Sequence, residues 1–160
     1  MGTADLLAFV MRWGIAGSVV LTIYLVVVWQ FGFLGAVRNE SGELRRHMPR
    51  AGVLTGVGSI LMYIVLLVVG DLSELASTEA APAFLELLAV NYVVYLFWLL
   101  FDTLVIDILI VNVIHPGFLR LPEREAHGSP AYHLRTIPQG MIIGVIVVLI
   151  ATAVARVLMR

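Results

Sequence analysis

The chain has 160 residues, 61% of them hydrophobic and 13% charged, with a formal net charge of −1. A soluble domain carries about 25% charged residues, so this chain cannot clothe a water-facing surface, and it offers no basic footprint for nucleic acid. Cysteine is absent, which excludes disulfides, thiolate metal sites and cysteine nucleophiles.

All ten basic residues are arginine. That usage fits a GC-rich prokaryotic genome, and the expected location is the inner (plasma) membrane. The first apolar stretch, residues 13–37, follows Arg12. It is far longer than the ~7–15-residue core of a signal peptide and reads as an uncleaved span. A polar connection follows, with Arg38, Arg45, Arg46 and Arg50 against Glu40 and Glu43. Each arginine near anionic lipid contributes about 1 kcal/mol, so these four are expected to meet anionic head groups. The second span covers 51–70, the third 84–114 and the fourth 139–159. Pro49, Pro82 and Pro138 stand at their openings, where the missing N–H costs nothing. Pro116-Gly117 ends the third.

Each stretch meets the ~20-residue requirement for crossing hydrocarbon. None alternates polar and apolar residues as a barrel strand would. The predicted architecture is therefore all-α: a polytopic transmembrane four-helix bundle forming a single domain. The connection 71–83 holds Asp71, Glu74 and Glu79 and no base, whereas 115–138 holds Arg120, Arg124 and Arg135. The positive-inside rule then makes the first and third connections cytoplasmic and both termini external.

The third span carries the unusual chemistry. Its length as an α-helix is ~46 Å against a ~30 Å hydrocarbon core, so it is expected to tilt or project. It contains Asp102 and Asp107. A carboxylate at bilayer depth costs at least ~2.5–3.5 kcal/mol and persists only when it faces protein or water. On an α-helix Asn91, Tyr95 and Asp102 share a stripe, Asp102 lying about 20° from Asn91 and Asp107 about 140° from Asp102. The stripe is expected either to make interhelical hydrogen bonds, with Asp102 protonated or paired, or to line a polar path. Asp107 is expected to pair with an arginine such as Arg38, Arg50, Arg120 or Arg135.

Two glycine pairs at four-residue spacing, Gly52/Gly56 and Gly140/Gly144, fall at matching depth. Such pairs let helices approach closely, here against each other or across a homo-oligomer seam. The four histidines are His47, His115, His127 and His133, with Glu123 and Glu125 nearby. No metal-ligand spacing joins them, so no metal or cofactor is expected. His115, His133 and Arg135 remain candidates at the inner interface.

The run FDTLVID, then HPGFLRLPE, YHLR and QG, resembles a group of small bacterial four-helix membrane proteins. The matching positions are Asp102, Asp107, Pro116, Phe118, Pro122, His133, Arg135 and Gly140. The resemblance covers about a third of the chain and implies an architecture and a set of positions, but no activity. The leading expectation is a non-enzymatic membrane protein acting by helix association, as a homo-oligomer or an accessory subunit of another membrane protein. One alternative is a small proton- or ion-coupled transporter or channel using Asp102. Another is a lipid-acting enzyme with Asp107, His133 and Arg135 at the interface.

Overall fold

The computed structural model describes residues 3–31, 37–38, 44–45, 50–74, 82–119, 121 and 128–159. Helix α1 (Thr3–Gln30) begins well ahead of the expected start, with Asp5 in its first turn complementing the positive end of the helix dipole. It also stops short of residue 37. There Val37 pairs with Arg45 and Arg38 with Leu44 in a two-stranded antiparallel ladder of β1 (Val37–Arg38) and β2 (Leu44–Arg45). The intervening sequence contains Asn39, Ser41 and Gly42, all turn formers. The side chains of Arg38, Arg45 and Arg50, the surroundings of Gly52, and all of Arg46 and Pro122 lie outside the described residues.

Helix α2 (Arg50–Glu74) runs past the expected end at 70, so Asp71 stands inside the helix and not in a connection. Helix α3 (Phe84–Phe101) continues without a break into a 13-residue π-helical segment, Asp102–Ile114. There the ladder runs from N–H to the carbonyl five residues back instead of four. Such a ladder fits more residues into each turn and advances less per residue. The third span is thereby shortened, which relieves part of its excess length. The segment ends at His115, whose backbone is left-handed (φ 47, ψ 63) and whose N–H donates to the Ile110 carbonyl at 2.7 Å. Pro116 and Gly117 follow.

Helix α4 (Pro130–Leu158) opens earlier than expected, which moves His133 and Arg135 from a loop into its first turns. Ser129 is the N-cap, its hydroxyl accepting the Tyr132 N–H at 3.3 Å, and Pro130 supplies a pre-set φ. This start signal outcompetes Pro138, which is carried inside the helix.

Neighbouring backbones run α1–α2–α4–α3 around the bundle, with α2 and α3 across one diagonal. The C-terminal end of α1, the N-terminal end of α2, the end of the π segment and the N-terminal end of α4 share one face, called proximal here; the opposite ends of the four helices share the distal face. The polarity pattern is inverted relative to a soluble protein. Leu54, Ile142 and Val157 are 68–70% exposed, while Asp71, Asn91 and Thr152 are 0% exposed. Four stretches, Asp5–Gln30, Val53–Ser73, Phe84–Ile114 and Pro130–Leu158, are long and apolar enough to cross a membrane. Aliphatic side chains outward and polar ones inward are what hydrocarbon demands of a helix bundle.

Candidate functional sites within the bundle

An aromatic layer divides the bundle interior. Trp98 is fully buried, and its Nε1–H donates to the carbonyls of Trp13 at 3.0 Å and Gly14 at 3.1 Å. The indole lies flush on Gly17, where an added Cβ would strike the ring. Tyr63 stacks on Trp98 at 5.5 Å and meets Tyr95 edge-on at 5.7 Å. Tyr24 ties α1 to α2, donating to the Thr55 carbonyl at 2.7 Å.

The α4 glycines serve this layer. Gly144 receives the Tyr95 ring, Gly140 has Leu99 Cδ1 2.7 Å from where its Cβ would be, and the Tyr95 hydroxyl donates to the Gly140 carbonyl at 3.1 Å. Gly140 and Gly144 therefore pack against α3, and Gly56, of the α2 pair, faces open space. The reason is the size of the neighbour. A flat ring uses the missing Cβ more fully than another glycine does.

On the proximal side, His133 Nδ1 lies 3.0 Å from Asp107 Oδ2. His133 is buried and Asp107 half-buried. His133 reaches Asp107 because the early start of α4 turns it inward one turn from the helix end; of the arginines expected beside Asp107, Arg120 and the side chains of Arg38 and Arg50 lie outside the described residues. Arg135, two residues on, is exposed. His115 stays at the π-segment terminus, its Nδ1 2.9 Å from the Val111 carbonyl.

The π ladder changes which residues face together. The wider turn brings Asp107 closer in angle to Asp102 than the wide separation expected of an α-helix. Asn112 Nδ2 donates to the Asp107 carbonyl at 2.8 Å, five residues back. The half-buried Asp102 carboxyl is within electrostatic reach of Asp107, Tyr63 and Tyr95.

Asn91 belongs to a different place. On the distal side its Nδ2 donates to Asp71 Oδ2 at 2.8 Å and to Thr152 Oγ1 at 3.1 Å. The expected stripe of Asn91, Tyr95 and Asp102 is thus divided among three environments: a distal polar cluster, the aromatic layer and the proximal carboxylates. Sequence reading missed Asp71 and Thr152, the first assigned to a connection and the second hidden in an aliphatic run. The signal available was Ala151 and Ala155 beside Thr152, small residues that bring α4 close.

No protein family, curated protein or solved structure matches the chain. Fold and site together define its class: an all-α, polytopic membrane four-helix bundle with ionisable side chains turned inward near both ends.

Proposed function

We propose that this chain moves protons through the membrane interior, as a small proton-coupled carrier or channel. Asp107 and His133 form the exchanging pair and Asp102 is the next acceptor inward. The observation that carries this reading is the 3.0 Å contact between Asp107 and His133, with Asp102 within electrostatic reach of Asp107. Imidazole changes charge near neutral pH, so a carboxylate at hydrogen-bond distance can exchange a proton with it. Carboxylates at bilayer depth are costly, and those that face a bundle interior concentrate on ion and proton pathways.

The test is flux. Purified protein in liposomes should collapse an imposed pH gradient, read by an entrapped pH dye. Asp107→Asn and His133→Gln both keep the shape of the side chain. Each should slow the collapse by about a hundredfold, the scale of a lost proton-transfer group. Wild-type vesicles that hold the gradient as long as empty ones would remove this reading.

In the same reading the proximal face is cytoplasmic and both termini are external, in a plasma membrane. The support is arginine distribution, with seven of the ten on the proximal side. Arg38, Arg45, Arg46 and Arg50 then face anionic lipid. Single cysteines placed in this cysteine-free chain report the orientation. In intact cells an impermeant thiol reagent should label position 74 and spare positions 45 and 124; the reverse pattern would invert the topology.

A second reading, association with another copy or a membrane partner, has one observation in its favour. Gly56 sits on an exposed apolar side of α2 with open space beyond it.

A further inference from the structure

We propose that Asp71, Asn91 and Thr152 bind one dehydrated monovalent cation of the sodium class. The three side chains come from α2, α3 and α4, and each is 0% exposed. Asn91 stands between the other two, and its two amide hydrogens are spent on Asp71 Oδ2 and Thr152 Oγ1. Two acceptors remain. Asp71 Oδ1 and Asn91 Oδ1 are buried and have no hydrogen-bond partner among the described residues. A bare buried acceptor is costly, and more so when it carries charge. Each belongs to a group already tied into the cluster: Asp71 Oδ1 shares its carboxyl carbon with Oδ2, and Asn91 Oδ1 its amide carbon with Nδ2.

The donor set selects the occupant. Carboxylate, amide and hydroxyl oxygens are hard ligands suited to alkali and alkaline-earth ions. The cluster holds a single carboxylate, so one positive charge balances it, whereas a divalent ion would leave a net charge in a low-dielectric interior. Arg156, one turn beyond Thr152 on α4, is turned to the Pro82 carbonyl, donating to it at 2.8 Å. Asp71 lies near the end of α2, which closes at Glu74, so the path to the distal face is short. The cluster shares no residue with the Asp107–His133 pair, and the Trp98 layer lies between them. The inference is therefore independent of proton movement.

The test uses the full chain in detergent. Thermal unfolding is followed as sodium chloride replaces choline chloride at fixed total salt and fixed pH. A ligand that binds only the folded state raises Tm progressively once its concentration passes Kd. A rise of several degrees is expected for the wild type, absent in Asp71→Asn and diminished in Thr152→Val. Equilibrium dialysis of the wild type against radioactive sodium needs no variant and should find one ion per chain. No retained sodium overturns the proposal, whatever the variants do. A Tm that follows pH but ignores sodium makes the occupant a proton and overturns it. A Tm indifferent to both makes it a buried water, which overturns it equally.

Discussion

Trp98→Ala is expected to cost about 3 kcal/mol of stability, the low end of the range for truncating a large buried aromatic. The low end applies because part of that range is transfer from water. In lipid, hydrocarbon competes equally for the apolar surface, and what is lost is packing. The loss is still large. The indole is fully enclosed, stacks on Tyr63 and carries the two hydrogen bonds that bind α3 to the backbone of α1 at Trp13 and Gly14. Trp98→Phe should recover the stacking but not the hydrogen bonds, and so fall between wild type and alanine. Denaturant titration in mixed micelles, monitored by tyrosine and tryptophan fluorescence, measures the series. An alanine variant as stable as wild type would mean that the aromatic layer does not hold the bundle together.

Gly144→Leu is expected to be comparably damaging for the opposite reason. Even a Cβ at Gly144 would overlap the Tyr95 ring, and that ring is held by its hydroxyl on the Gly140 carbonyl and by Tyr63 on its edge. Overpacking typically costs about 1–3 kcal/mol, and a pinned ring places this case at the upper end. Gly56→Leu is the matched comparison. Its Cβ meets nothing within 4 Å, so the isolated bundle should melt as wild type does. Paired melting curves, with size measured alongside, separate two ideas. If Gly56→Leu melts normally but shifts from a larger to a smaller assembly, helix association through α2 gains direct support. If Gly144→Leu melts normally, the close contact of α3 and α4 at Tyr95 is dispensable.

The four spans were legible because hydrocarbon imposes a length and a polarity that few other environments impose. The third span was read end to end at 84–114. The errors fall where a local signal competed with tertiary partners. Asp71 looked like the first residue of a connection because a charge normally ends a span; here Asn91 receives it and the helix continues. Pro138 looked like a helix start, but Ser129-Pro130 offered a cap and Pro138 could be tolerated within the helix. The Asp107–His133 pair was half legible, since both residues were singled out but placed on different kinds of element. The π segment was not legible, because the periodicity argument assumes the winding that it is used to detect. Gly17 was passed over because its partner is a ring on another helix, not a second glycine four residues away.

That winding makes the interior register of the third span a matter of residue count more than residue identity. Three kinds of position recur along the π segment. Asp102, Asp107 and Asn112 are its half-buried polar positions. Thr103, Ile106 and Val111 are sealed at 0–5% exposure, and Leu104, Leu109, Val113 and Ile114 are 44–60% open to the surroundings. An amino-acid exchange alters one position. Loss of a single codon within the segment leaves the composition almost unchanged but rotates every later side chain, and a carboxylate that faced protein comes to face acyl chains. The hydrocarbon penalty on an exposed charge thus acts as a proofreader of length here, and the segment is freer to drift in sequence than to gain or lose a residue.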